Sequence, residues 1–203
     1  RTNMDIYHSD KIDFTRANVN IVCRGKQTKD TFNCKTVMKL FNSFCKRKSI
    51  KHMIDPFARN CEIAHPWTND IDPNTNAIFH MDALDFIKSF DNGLMSPNGV
   101  FEYYNRRDFD LAIMDLPFSA RQDTEIYGKS NLYTDPKYIK NLEIGLGNLV
   151  RPGGYVWKMG YNSNYSHNGF QLYDIWVIQY GGSINDMIIS VHKKIIGDVM
   201  KWA

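Results

Sequence analysis

Polar and apolar positions alternate from Asn18 to Cys23, the pattern of a short strand. Between Thr31 and Lys48 the spacing changes. There Val37, Leu40, Phe41 and Phe44 fall at i, i+3, i+4 and i+7, which predicts an amphipathic helix capped by Thr31 or Asn33. Short apolar runs ending in acids or turn residues follow: His52 to Asp55, a weaker Trp67 to Asp70, and Ala77 to Met81, which leads into a helix-like Asp82 to Ile87. Phe109 to Met114 reads as a strand stopping at Asp115, because Pro117 cannot continue a central strand. Tyr138 to Leu149 reads as a helix and Arg151 to Gly154 as a turn. Tyr155 to Met159, Ile175 to Tyr180 and Met187 to His192 read as strands. Short strands alternating with helices predict an α/β sheet, mostly parallel, with helices on both faces. The turn-rich stretch 91–107 and the polar stretch 119–136 are long for plain connections. They are expected to be substrate-contacting insertions, with simple surface loops as the alternative.

Composition narrows this picture only a little. A chain of 203 residues, 43% apolar and 23% charged, suits a single domain spanning 1–203. No apolar run approaches the roughly 18 residues needed to cross a bilayer, and the first ten residues lack the order of a signal peptide. No membrane contact is expected. The four cysteines, at 23, 34, 45 and 61, match neither a metal knuckle nor a disulfide framework, so the expectation is a reduced, intracellular, cytoplasmic chain. The six histidines form no metal-binding pattern, and no metal is expected.

Charge changes the picture more. The net charge is only +3, yet Arg24 to Lys51 holds nine Lys and Arg against the single acid Asp30, giving +8 locally and −5 for the remainder. Such asymmetry points to a polyanionic partner, and Lys35 and Lys39 are candidate phosphate contacts. A basic surface helix serving solubility is the alternative.

In an open α/β sheet the ligand sits beyond the carboxyl ends of the strands. Three acids stand where that rule places them: Asp55 and Asp70 at or near strand ends, and Asp82 at the start of a helix. An acid after the second strand can take both hydroxyls of a ribose, so together they favour an adenosine-containing cofactor. Singly, each also fits a helix cap or turn. The tetrapeptide Asp115-Leu116-Pro117-Phe118 suits a planar group bearing an amine, with the carboxylate and a turn carbonyl accepting its N–H bonds and Phe118 stacking on the ring.

The strings Asp55-Pro56-Phe57-Ala58, Asn69-Asp70, His80-Met81-Asp82-Ala83-Leu84, Asp115-Leu116-Pro117-Phe118-Ser119 and Arg151-Pro152-Gly153-Gly154 occur in the order found in class I S-adenosylmethionine-dependent methyltransferases. The chain most resembles the small adenine-N6 DNA methyltransferases of phages and mobile elements. The resemblance covers roughly residues 28 to 192, with 1–27 as an N-terminal extension. It implies a Rossmann-like, mostly parallel seven-stranded sheet with a reversed last hairpin.

It also implies that Asp55, Pro56, Phe57 and Ala58 approach the methionine part of S-adenosylmethionine. Asp70 would bind the ribose, with Asp72 as substitute; Asp82 and Ala83 would meet the adenine; Thr31 and Phe32 would cover the carboxylate end of the cofactor. The catalytic set would be Asp115, Leu116, Pro117 and Phe118, with Ser119, Arg121 and Gln122 touching substrate, and Asn162 and Ser163 lining the cleft. The partner implied is DNA, with RNA as the alternative, read with the help of a second copy or a specificity subunit. One departure stands out. The family's F-x-G-x-G turn reads Phe57-Ala58-Arg59-Asn60-Cys61 here, with Asn60 expected to supply the left-handed conformation and Arg59 to meet the cofactor carboxylate, a phosphate or solvent. A chain that has lost activity and serves as a nucleic-acid-binding subunit is the reading this departure would favour.

Overall fold

The computed structural model describes residues 18–23, 25, 30–90, 108–116, 135–180 and 185–195. Pro117, Phe118, Ser119, Arg121 and Gln122 lie outside the described residues, as do the stretch 91–107 and most of 119–136. The strands are β1 (Asn18–Cys23), β2 (Met53–Ile54), β3 (Phe109–Asp115), β4 (Val150–Gly160), β5 (Phe170–Gln179) and β6 (Met187–Lys194). They form one sheet in the order β1-β5-β6-β4-β3-β2. The pairs β1/β5, β2/β3 and β3/β4 are parallel, whereas β6 runs against both β4 and β5. The expected seven-stranded, mostly parallel sheet is thus corrected to six mixed strands among the described residues. The reversed strand near the end is as the resemblance implied.

Two of the expected runs fall short of strands. Thr68 bridges Asp55 and Phe79 bridges Asn69, both in parallel sense, so 67–70 and 77–81 extend the sheet past β2 by single bridges. At the other edge β1 pairs along its length with β5, so part of the expected N-terminal extension is a strand of the sheet.

Helices cover both faces. On one, α1 (Lys35–Lys48) buries Val37, Phe41 and Phe44. Phe41 meets Trp157 edge-on at 5.2 Å, and Phe44 meets Tyr155 at 5.2 Å and Trp176 at 6.5 Å. On the other, α2 (Ala83–Ser89) and α3 (Pro136–Leu149) pack against Ile54, Ala112, Met114 and Val156. Period-2 alternation in β3 and β4 feeds both layers: Leu111, Ile113 and Trp157 face α1, while Ala112, Met114 and Val156 face α2 and α3.

Two local expectations need correction. The helix begins at Lys35 and not at Thr31, and its N-cap, Cys34, makes no side-chain cap. Residues Thr31–Asn33 form a 3-10 turn instead. There the Thr31 hydroxyl donates to Asp115 Oδ1 and the Asn33 amide to Asp30 Oδ2. Arg151 to Gly154 is not a turn between elements but a bulge inside β4, since pairing with β3 jumps from Phe109↔Val150 to Leu111↔Tyr155. Gly153 takes φ +78, and a Cβ on Gly154 would sit 2.9 Å from the Asp110 carbonyl oxygen, so glycine suits both positions.

Candidate functional site

After β2 the chain moves outward to Thr68 and Phe79, then returns to the other side of β2 as β3. Strand order therefore reverses between β2 and β3, the place where open α/β sheets form a crevice at their carboxyl ends. Asp55 and Asp115 stand there, one following β2 and the other ending β3.

Asp55 is buried, and its Oδ1 accepts the Phe57 N–H at 3.0 Å. Burial pushes its carboxyl well above the usual range; the charges of Asp115 and Asp70 add to this, and the Phe57 hydrogen bond opposes it. Asp115 is only partly buried by its surface exposure, yet its carboxyl lies deep enough for desolvation to raise it to about 7. The Asp30 charge raises it further, while Arg59 and the Thr31 hydroxyl, which donates to Oδ1 at 3.1 Å, hold it down. Tyr180, just past β5, belongs to the same mouth. Its hydroxyl is pushed up to about 12, mainly by burial, with Cys34, Asp115 and Tyr161 contributing.

The turn after β2 is built from buried Pro56, Phe57 and Ala58. Asp70 closes it, its Oδ2 accepting the Arg59 N–H at 3.1 Å and its Oδ1 the Asp72 N–H at 2.9 Å. Burial raises the Asp70 carboxyl despite these bonds. Asp72 folds back on Asn74, which lowers its carboxyl. The left-handed residue of the turn is Arg59, at φ 48, and not Asn60, whose Oδ1 instead accepts the Asn76 N–H.

Asp82 stands further out and caps α2. Its Oδ1 accepts the N–H groups of Leu84 and Asp85, and its Oδ2 the Tyr138 hydroxyl of α3 at 2.8 Å. Ala83 is buried in the first turn of that helix. Phe32 is buried edge-on against Phe41, 5.0 Å away. Lys35 and Lys39 are exposed on α1, and with Lys46 they fall on one stripe of that helix.

Three features were not singled out from sequence. Asn69 ties the strand ends together: its Nδ2 donates to the carbonyls of Pro56 and Met81, and its Oδ1 accepts the Met81 N–H. The buried pair Lys158 Nζ and Glu143 Oε1, 2.7 Å apart, holds the segment after β4, with Lys158 also donating to Asn162 Oδ1 and the Asn164 carbonyl, and Glu143 Oε2 accepting the Ser166 N–H. Asn162, expected to line the cleft, is thus engaged with Lys158. Finally, a groove of about 440 Å³ opens beside the site, lined by Asp30, Phe32, Asn33, Met38 and residues Asn60 to Ile63. Of the residues expected to hold a cofactor, Phe32 lines it. Among the described residues no three His, Cys, Asp or Glu side chains are grouped to hold a metal ion, and no helix is long and apolar enough to cross a membrane.

The arrangement defines an open α/β sheet with paired acids at its switch point. No protein-family model and no curated protein matches the chain significantly. Among solved structures it is distantly similar to the crystal structure of the N-methyltransferase NodS from Bradyrhizobium japonicum WM9, with 8% identity and a TM-score of 0.44 over 80% of this chain and 98% of that one.

Proposed function

We propose that the chain is an S-adenosylmethionine-dependent methyltransferase acting on the exocyclic N6 amine of adenine in DNA. The observation that carries this reading is Asp115 beside Asp55 at the switch point, with Asp115 titrating near neutrality and its carboxylate held by Thr31. The residues present suit such a cofactor. Burial raises the carboxyls of Asp55, Asp70 and Asp115, the charges of Asp115 and Asp70 add to this at Asp55, and a sulfonium cation near them would favour their charged forms. When bound, S-adenosylmethionine supplies an electrophilic methyl group on a sulfonium.

The chain supplies the rest. Ionised Asp115 would accept an N–H of the target amine, draw the nitrogen lone pair out of conjugation with the ring, and take up the proton shed as the nitrogen gains the methyl, the broken methyl–sulfur bond leaving its electron pair on a neutral thioether. Phe118, three residues on, is assigned the stacking face from its place in the sequence. Asp70 is assigned to the ribose. The stripe Lys35, Lys39 and Lys46 suits a phosphate backbone, each contact steepening the salt dependence by about 0.9 in log–log slope. In duplex DNA the base must leave the stack, at a cost of a few kcal/mol.

The test follows labelled methyl from S-adenosylmethionine into DNA, RNA and protein pools. Label in the adenines of DNA, abolished by Asp115→Ala with the circular dichroism spectrum intact, is the expected result. Label confined to RNA or protein would move the substrate, and full activity of Asp115→Ala would remove Asp115 from the reaction.

A further inference from the structure

Arg59 stands where the resembling family has a glycine-rich turn, and its surroundings are those of a ligand-binding residue. Its backbone is left-handed at φ 48, and its N–H is fixed on Asp70 Oδ2. That turn sends the side chain inward, leaving it 17% exposed. The guanidinium Nε lies 2.7 Å from Asp30 Oδ1, and Nη1 is buried with no hydrogen-bond partner among the described residues. A buried guanidinium N–H without an acceptor is costly, and a ligand oxygen removes that cost. Asp30 itself lines the groove of about 440 Å³ beside the switch point.

Resting on the methyltransferase reading, we infer that Arg59 and Asp30 form a charge couple for the amino-acid end of the methyl donor. Arg59 Nη1 takes the α-carboxylate and the Asp30 carboxylate takes the α-ammonium. A fixed cation beside a fixed anion is complementary to a zwitterion laid against it in the opposite sense, and the planar guanidinium suits a carboxylate. A phosphate fits poorly here, because Asp30, Asp70 and Asp115 set negative charge around the Arg59 guanidinium whenever they ionise.

Two probes separate this from the parent reading: S-adenosylhomocysteine, which carries the amino-acid end and cannot be turned over, and 5′-methylthioadenosine, which lacks it. Titration calorimetry of the full chain is expected to show both binding, the first more tightly. Arg59→Gln and Asp30→Asn weaken S-adenosylhomocysteine on the order of 10- to 100-fold and leave 5′-methylthioadenosine unchanged. Arg59→Gly, which relaxes the left-handed position, keeps the melting temperature and still loses S-adenosylhomocysteine affinity, so a folding defect is told apart from a lost contact. Equal weakening of both probes, or none, overturns the couple while the cofactor reading stands. A wild-type chain that binds neither probe overturns both.

Discussion

In the proposed reaction Asp115 takes up the amine proton and must start as a carboxylate, so its raised carboxyl sets a working range. Activity is expected to rise with pH through about 7, as the carboxylate forms. The Thr31 hydroxyl favours the charged form, and removing it leaves only Arg59 to oppose desolvation. Thr31→Val is therefore expected to move the midpoint of kcat against pH upward, and Thr31→Ser to restore it. A midpoint that stays in place in Thr31→Val, measured across about pH 5 to 9, would separate Thr31 from the titration of Asp115. Little of this was legible in the sequence. Asp115 announces itself by ending an apolar run before proline, but Thr31 lies 84 residues away and reads locally as a helix cap. Arg59 could be read as a partner for a carboxylate, but not as the left-handed residue of its turn, since that conformation is imposed by its neighbours and not by its own preference.

At the scale of elements, the region beyond β2 is held by short runs of backbone hydrogen bonds, such as Asn69 N–H to the Asp55 carbonyl and Asp70 N–H to the Phe79 carbonyl, and by the Asn69 side chain. Asn69 makes three hydrogen bonds to three backbone groups in two neighbouring segments. Asn69→Ala strands those groups and is expected to cost about 3 kcal/mol, read by urea unfolding with the slope unchanged. A loss below about 0.5 kcal/mol would mean that water replaces the amide. This also explains which elements could be read from hydropathy. Helix α1 presents one apolar stripe to the sheet, and β3 is apolar on both sides because helices cover both, so their periods survive in the sequence. Segments 67–70 and 77–81 have single bridges and a side-chain tie, which leave no periodic trace. The bulge at Arg151 to Gly154 reads as a turn in the sequence because both use glycine for the same backbone freedom.

Over the whole molecule, buried ionisable groups pull stability in opposite directions as pH falls. Burial lowers His167 to about 4 and His192 to about 3, with Lys194 acting on the first and Lys158 on the second. The unfolded chain takes up those protons near the ordinary imidazole value of about 6.5, so their contribution is present above that pH and is lost as pH falls toward 4 and 3. Asp115 works the other way, its contribution fully present in acid and lost as pH rises through about 7. His192→Gln is expected to melt lower than the wild type at neutral pH and to lose less on acidification. Parallel pH profiles of Tm for the two proteins would refute that. Strand β1 adds a constraint of a different kind. Its partner β5 lies near the other end of the chain, and β5 is itself held in place by β6. A ribosome making this protein must therefore finish almost the entire sheet before β1 has anywhere to dock. Among the described strands, the first in chain order is then among the last to be paired.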